Sequence, residues 1–506
     1  LAIAAEAIGD AGPQEVGIIG GSRLTNEDAY AWSKFARSVI GTDNIDAQLG
    51  DGLPAELVLG LPPTTIEDAC KADTVLLVGP DLKEELPILH LRLQGAANKG
   101  QTKVVQIGPT VTGSEPYIQR SIRCQSGEAA KALTELLGSD DPLAQQLRDG
   151  SVVTILGRNS IAESADPAIS VAAVIRAELP HATFLPVLPR GNVRGAIDMG
   201  LAPGFLPGRI RINNPSQMLL QKWSEIPKEQ GLGTTEMLQA AVAGKIETLI
   251  LLGADTLSDF PDRNLAAEAI QQTKTVIAID NFVTASVAQA DIVLPATTYG
   301  EQDGTTTNIE GRISRVTQKI TPPGSTRDDW MIATELAWRL GGDLELTSKE
   351  EIWREIEQVA PSHAGVTLER VTSDETREGL LVQDSSADLT LPTPQDTPVA
   401  DGYGLRLISG RKLWDAATAT AHSPSLQHLA EPPTLKVHPN DLQRLGIPSG
   451  TEVRVISTRA TENLTAVADS NTQRGTAVLP FNQPGGGANR FIDATAVVND
   501  IRIETL

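Results

Sequence analysis

The residues of this 506-residue chain that could bind an anion are glycines and small polar residues directly after short apolar segments. Gly79 and Gly253 follow two such segments, and Asp280 with Asn281 follows a third. A glycine at such a position lets backbone N–H groups approach a phosphate closely. It can equally serve a tight turn that binds nothing. No Walker sequence occurs, and no GxGxxG opens the first helix, so neither a P-loop NTPase nor a standard NAD site is supported.

The soft metal ligands are sparse. A structural zinc site or a four-iron cluster needs about four soft ligands at short spacing, and Cys70 and Cys124 are far apart in the sequence. The six histidines are scattered, without a metal-type i, i+4 pair. The sequence therefore predicts no metal site, and the low cysteine content favours a reducing cytoplasm over a secreted disulfide scaffold.

The charge balance indicates which kinds of binding partner are disfavoured. The chain has 42 Lys and Arg residues against 64 Asp and Glu residues, which gives a formal net charge of −22. Such an excess of carboxylates repels phosphate backbones and anionic lipid surfaces. No apolar run approaches the roughly 18 residues that a membrane helix needs. We therefore expect no nucleic-acid partner and no direct membrane insertion.

The elements that would position these residues follow one recurring pattern from about residue 14 to 320. Short apolar segments end at a glycine, an aspartate or a proline, and helical stretches separate them. Continuous apolar strands of this kind are typical of a parallel sheet buried on both faces. The segments are 16–19, 74–78, 104–107, 152–156, 248–252 and 276–279. Alternating strands and helices predict a doubly wound α/β fold.

The clearest predicted helix begins at Thr25. Its hydroxyl can cap the helix, and the acidic Glu27 and Asp28 are favoured in the first turn. Apolar side chains follow at helical spacing and predict one buried stripe. They are Ala29, Trp32, Phe35, Ala36 and Val39.

Composition changes near residue 361 and predict three regions. Residues 1–360 form an α/β region, either one domain or two interleaved α/β domains, and 361–402 are a polar, proline-rich linker that includes 384–398. Short β-like runs then predict a β-rich domain over 403–506. Residues 1–8 predict an amphipathic helix without a signal peptide, and the chain begins at Leu1. We therefore expect it to be a piece of a longer polypeptide.

The most specific segment is 290–312, predicted as a buried strand, a proline stop and a polar loop. Its sequence ADIVLPA, followed by E-x-D-G-T-x-x-N-x-E-G-R, resembles the signature of the molybdopterin oxidoreductase superfamily. Ser409-Gly410-Arg411 and residues 437–450 resemble the superfamily's dinucleotide-binding domain, a double-psi β-barrel. The resemblance implies doubly wound α/β domains with parallel sheets plus that barrel at the C-terminus. It also implies remnants of a pterin cleft at Gly79, Gly253, Asp280, Asn281, Gly304 and Asn308.

Residues 190–200 with 206–208 narrow the resemblance within the superfamily. They are similar to the family of the largest peripheral-arm subunit of NADH-quinone oxidoreductase, the bacterial respiratory complex I. That resemblance implies a scaffold in a complex that passes electrons from NADH through iron–sulfur clusters to quinone, coupled to proton translocation. The iron–sulfur region would precede Leu1, and the partners would be other peripheral-arm subunits. The chain would lie on the cytoplasmic side of the cell membrane, as a peripheral part of that complex.

Two departures from the active enzymes bear on the cofactor. Active members carry a Cys, selenocysteine, Ser or occasionally Asp metal ligand near the position of Gly52, where Asp51 is the only conceivable donor here. They also carry Asp-Pro-Arg to hold the pterin, where this chain has Gly108-Pro109-Thr110. The resemblance thus implies no catalytic residue, no metal and no molybdopterin in this part. Two alternatives stay open: an active formate dehydrogenase-type molybdopterin enzyme with Asp51 as ligand, and a cofactor-free interaction module unrelated to respiration.

Overall fold

The computed structural model describes residues 1–373, 378–382, 389–400, 402 and 404–506. The chain forms two compact units, each built from three separate segments. Unit 1 consists of Leu1–Gly50, Leu188–Phe260 and Leu265–Ala387, and unit 2 of Asp51–Val187, Pro261–Asn264 and Asp388–Leu506. The boundaries at 361 and 403 stay a prediction, and Asp384, Ser385 and Ser386 of the predicted linker lie outside the described residues.

The strands are numbered along the chain. They are β1 Val16–Gly20, β2 Ile45–Asp46, β3 Thr74–Val78, β4 Lys103–Gly108, β5 Ile118–Arg123, β6 Val152–Leu156, β7 Thr183–Pro186, β8 Phe205–Leu206, β9 Ile210–Arg211, β10 Thr248–Leu252, β11 Thr275–Asp280, β12 Ile292–Pro295, β13 Gly304–Thr307, β14 Arg312–Val316, β15 Leu380–Leu381, β16 Leu405–Ile408, β17 Leu435–Val437, β18 Thr451–Ile456, β19 Thr461–Ala468, β20 Thr476–Val478 and β21 Asp500–Thr505.

The α-helices are numbered in the same way. They are α1 Ala2–Asp10, α2 Asn26–Lys34, α3 Ala55–Gly60, α4 Ile66–Lys71, α5 Leu82–Glu85, α6 Pro87–Asn98, α7 Ala129–Leu137, α8 Pro142–Asp149, α9 Asp166–Glu178, α10 Val193–Asp198, α11 Gln217–Trp223, α12 Thr234–Val242, α13 Thr256–Asp259, α14 Arg263–Gln272, α15 Asp329–Arg339, α16 Lys349–Val359, α17 Leu368–Thr372, α18 Thr418–Ala421 and α19 Pro439–Leu445.

Unit 1 is built around a parallel sheet in the order β12-β11-β10-β1-β2. The central strands β1 and β10 are buried at every residue, as their continuous apolar sequences predict. The strand predicted at the start of 290–312 is present as β12 and ends at Pro295, but the prediction that it is buried was wrong. Strand β12 has a neighbour on one side only, and its Val293 side chain is 48% exposed.

Helix α2 begins where the sequence predicts, because the Thr25 hydroxyl accepts a hydrogen bond from the Asp28 backbone N–H. The predicted apolar stripe is buried, with Ala29, Trp32, Phe35 and Ala36 inaccessible to solvent. The polar residues of α2 are buried as well, including Lys34, which the stripe does not predict. Helices α10, α15 and α16 and strand β13 all pack against α2. The helix then continues as a π-helical segment, Phe35–Ile40.

The segment predicted as a polar loop is partly strand. Strand β13 pairs with β14 in an antiparallel hairpin, and β14 also pairs with β15. Burial alternates along the three consecutive threonines of β13, since Thr305 and Thr307 are buried and Thr306 is half-buried. Threonines suit such a strand because β-branched side chains fit a pleated surface. The loop prediction weighted the polar composition of this segment over that alternation.

Unit 2 contains a second parallel sheet, in the order β5-β4-β3-β6-β7. It also contains a closed barrel in the order β16-β20-β17-β19-β18-β21, with both parallel and antiparallel pairs. The predicted fold class, parallel-sheet α/β domains plus a C-terminal β-barrel, is confirmed. Among the described residues, no helix has the length and apolar character that crossing a bilayer requires.

Candidate functional site

Three of the sequence-predicted site residues meet at one edge of the unit 1 sheet. Gly253 follows strand β10 and Asp280 ends the neighbouring strand β11, and the Gly253 N–H donates to the Ile279 carbonyl. The Asp280 carboxylate accepts hydrogen bonds from the backbone N–H groups of Asn281 and Phe282. Burial raises the pKa of Asp280. This carboxylate therefore stabilises its own turn.

Strand β13, in the 290–312 segment, holds the first turn of α2 in place. The Thr305 backbone N–H donates to Glu27 Oε2 at 2.8 Å, and Asn26 Nδ2 donates to the hydroxyls of Thr305 and Thr307 at 3.0 Å. The Thr307 N–H donates to Asn192 Oδ1 at 2.6 Å. These signature side chains are therefore occupied within unit 1.

Gly304 and Asn308 lie at opposite ends of strand β13. A Cβ on Gly304 would come within 2.7 Å of Thr25, so glycine permits the close approach of β13 to α2. The Asn308 carboxamide accepts from the N–H groups of Glu310 and Arg312 and closes the hairpin turn. Both residues have structural contacts that account for their types.

A buried cluster of acids surrounds Lys349 in the same unit. Its ammonium lies 3.4 Å from the Asp28 carboxylate and 3.2 Å from that of Asp328. Burial raises the pKa of Glu27 to about 7, and the Lys349 charge opposes that shift. Burial and the Asp28 charge raise the pKa of Asp329 well above its usual range. The described residues contain no group of three or more His, Cys, Asp or Glu that could hold a metal ion.

Gly79 lies in unit 2, at the end of β3. The Gly157 N–H donates to the Val78 carbonyl there, and a Cβ on Gly79 would lie 3.3 Å from the Gly157 nitrogen. The predicted site residues are thus divided between the two units.

Unit 2 has a cavity of about 150 Å³ between the end of its sheet and the barrel. Its ionisable lining residues carry both signs, as acids Asp81, Glu84, Glu85 and Asp469 and bases Arg411, Lys412 and Lys436. Ser409 also lines the cavity, and its buried Oγ has no hydrogen-bond partner among the described residues. The cavity therefore has a polar, charged wall.

The loop 409–413, which follows β16, directs its donors at carboxylates. The Leu413 N–H donates to Glu84 Oε2 at 2.9 Å, and the Arg411 N–H donates to Glu85 Oε1 at 3.4 Å. Lys412 Nζ lies 3.0 Å from Glu84 Oε1. Both glutamates belong to the short helix α5, which follows β3.

The Arg411 side chain completes this arrangement. Its guanidinium lies 3.7 Å from the Asp51 carboxylate and 3.2 Å from that of Asp415, and it stacks over the Phe481 ring at 4.8 Å. Asp51 is buried, with its side chain 2% exposed. We call Asp51, Glu84 and Glu85 the carboxylate clamp of the 409–413 loop.

The two glutamates of the clamp have pKa values shifted in opposite directions, and that of Glu85 is raised. Burial raises its pKa to about 7, the Arg411 charge lowers it, and the Asp51 charge raises it. Glu84 differs, because its pKa is lowered by its hydrogen bonds to Leu413 and Lys412 against the opposing effect of burial.

These residues test whether a pterin dinucleotide fits unit 2. The backbone donors of the 409–413 loop, which could otherwise face an anion, are used by the clamp. Asp51, the only conceivable metal ligand, is paired with Arg411. Thr110, at the position of the pterin-holding arginine, forms a backbone bridge with Thr472. In this arrangement the loop donors and the Asp51 carboxylate already have partners within unit 2.

The sequence reasoning missed Glu84 and Glu85. A strand end followed by a short acidic helix is visible in the sequence, but its pairing with a loop more than three hundred residues away is not. Arg411 lies in the quoted Ser409-Gly410-Arg411 motif. That motif was the only part of the sequence analysis that pointed to this loop.

Two family models match the chain. The model "Molybdopterin oxidoreductase" matches residues 1–339, and "Molydopterin dinucleotide binding domain" matches residues 405–500. Acetylene hydratase from Pelobacter acetylenicus has a similar fold, with a TM-score of 0.62 and 16% identity over 100% of this chain and 88% of that chain.

Curated relatives have different activities. NADPH-Fe(3+) oxidoreductase subunit alpha of Geobacter sulfurreducens is 26% identical over 97% of this chain and 64% of its own length, so the chain spans less than two thirds of that relative. F420-dependent formate dehydrogenase subunit alpha of Methanocaldococcus jannaschii is 26% identical over 97% of this chain and 85% of its own length. A subunit of the NADH-quinone oxidoreductase of Rhizobium meliloti is 26% identical over 91% of this chain and 59% of its own length. The chain belongs to the molybdopterin oxidoreductase family.

Proposed function

We propose that this chain is the scaffold part of the large peripheral-arm subunit of an NADH-quinone oxidoreductase. The complex would pass electrons from NADH through iron–sulfur clusters to quinone and couple this to proton translocation. In the proposal this part contains no working molybdopterin and no catalytic residue, so enzymatic activity belongs to the assembled complex.

The observation that carries the proposal is the carboxylate clamp. An active member needs a free metal ligand and free donors for phosphate groups. Here the candidate ligand Asp51 lies 3.7 Å from Arg411, and the donors of loop 409–413 face Glu84 and Glu85. The similarity to the NADH-quinone oxidoreductase subunit of Rhizobium meliloti supports the same proposal.

The proposal places the redox centres and partners outside the described residues. Iron–sulfur clusters would be bound by three or more clustered sets of cysteines N-terminal to Leu1, since Cys70 and Cys124 alone cannot ligate them. The partners would be other peripheral-arm subunits, on the cytoplasmic side of the cell membrane.

The test is to tag the full-length polypeptide in its native host and resolve mildly solubilised membranes on a native gel. We expect the tag to migrate with NADH:quinone oxidoreductase activity, and the full gene to encode the cysteine sets. The proposal fails if the tag migrates only with formate-oxidising activity, or if the gene lacks those cysteines.

A second candidate is an active molybdopterin oxidoreductase of formate dehydrogenase type. The observation that favours it is a pair of buried amides beside Phe481, because Asn482 Nδ2 and Gln483 Nε2 have no hydrogen-bond partner among the described residues. Such donors would suit a heterocyclic ligand. Formate-dependent dye reduction that is lost in Asp51→Ala, but kept in a variant of an exposed acid such as Glu135→Ala, would establish this candidate.

A further inference from the structure

We propose that the carboxylate clamp acts as an internal anion, which occupies the phosphate-binding donors of loop 409–413 and excludes a pyrophosphate-bearing ligand from the cavity. The inference deepens the proposed function, on which it rests, because it assigns the loss of cofactor binding to Glu84 and Glu85.

The first step is the convergence of donors on the clamp. The Arg411 and Leu413 backbone N–H groups and the Lys412 ammonium all donate to Glu84 or Glu85 within 3.4 Å. Two adjacent carboxylates facing two backbone amides and an ammonium present the same acceptors that a pyrophosphate would present. The loop therefore has an anion-binding geometry that is already satisfied.

The second step is the remaining space. The loop borders a cavity of about 150 Å³, and the Oγ of Ser409 there is buried without a partner among the described residues. A cavity with an unsatisfied hydroxyl next to an anion-binding loop indicates a ligand position, because buried polar groups are normally paired.

The third step is the charge of the lining. The lining has four acids against three bases, so it offers an added anion no excess of positive charge. Removing Glu84 and Glu85 leaves Asp81 and Asp469 against Arg411, Lys412 and Lys436. The cavity lining then has an excess of positive charge. The backbone N–H groups of Arg411 and Leu413 lose their carboxylate acceptors.

The experiment compares pyrophosphate binding by titration calorimetry in the full chain and in the double variant Glu84→Ala, Glu85→Ala. Alanine suits helix α5. The matched control is Glu135→Ala, Glu178→Ala, which removes the same charge from exposed helix positions in unit 2. A third variant adds Lys412→Ala to the double variant and so removes the side-chain donor that faces Glu84. Circular dichroism and the melting temperature verify folding of each.

We expect the double variant to bind pyrophosphate at least about tenfold more tightly than the wild-type chain or the control, since each released charge-assisted donor contributes that much. Adding Lys412→Ala should remove most of the gain, because the Lys412 ammonium is the side-chain donor that the double variant releases. The inference is overturned if the wild-type chain binds as tightly as the double variant, or if the folded double variant gains nothing. If the calorimetry shows no gain, co-migration with NADH:quinone oxidoreductase activity on the native gel is unaffected. If that co-migration fails, the gain in pyrophosphate binding can still be measured.

Discussion

At the residue scale, the Glu27 carboxylate is hydrogen-bonded by the 290–312 segment and has a raised pKa. Its carboxylate accepts two hydrogen bonds from Thr305, one from the backbone N–H and one from Oγ1. Burial nevertheless raises its pKa to about 7. The folded protein thus binds a proton that the unfolded chain releases near its ordinary pKa of about 4.3.

Glu27→Gln should therefore change how stability depends on pH. A raised folded-state pKa stabilises the fold below the unfolded pKa, and that contribution is lost as pH rises through about 7. We expect the unfolding free energy of the variant, relative to wild type, to rise by about 1–3 kcal/mol between pH 5 and pH 8. Urea denaturation at both pH values measures it. The exposed Glu350→Gln serves as the control, and parallel pH profiles for wild type and Glu27→Gln would contradict the expectation.

Gly487 tests close packing inside the barrel. A Cβ there would lie 2.0 Å from the Phe481 carbonyl oxygen, so Gly487→Ala must displace backbone. We expect a loss of about 2–4 kcal/mol, seen as a lower melting temperature. Gly95→Ala is the matched control, because nothing lies within 4 Å of that Cβ in helix α6. Equal melting temperatures for the two variants would show that the barrel accommodates the clash.

At the scale of elements, the strands were predictable and their long-range partners were not. Segments such as 74–78 and 248–252 are continuously apolar, which is sufficient to identify strands buried on both faces. Helix α2 shows the limit of periodicity. Its polar residues, including Lys34 with Glu355 at 2.7 Å, are buried in pairs that a helical stripe does not reveal.

The predicted tether between the α/β region and the barrel can be tested by limited proteolysis. Residues 391–398 contain neither helix nor strand, although Thr397 donates to the Gly127 carbonyl and the Gln395 N–H donates to Asp166. Val399 is 95% exposed. Limited proteolysis should therefore cut first within 384–400, and mass spectrometry of the fragments locates the cut. Preferential cutting between 250 and 320 would contradict the predicted boundary.

At the scale of the whole molecule, the family and the fold class followed from local motifs. The 290–312 signature and the Ser409-Gly410-Arg411 motif identify the superfamily because they are short and specific. The candidate site was harder to predict. Arg411 meets Asp51, Glu84 and Glu85 only after folding, and no local pattern indicates that these charges pair.

In the proposed function, this member of the molybdopterin oxidoreductase family keeps the fold without the metal cofactor. The most direct measurement is the molybdenum and tungsten content of the full-length protein, by plasma mass spectrometry, from a host that makes molybdopterin dinucleotide. A formate dehydrogenase purified in parallel is the positive control. We expect no stoichiometric molybdenum or tungsten in the protein. About one atom of either metal per chain, lost in Asp51→Ala, would contradict the account and identify Asp51 as the ligand.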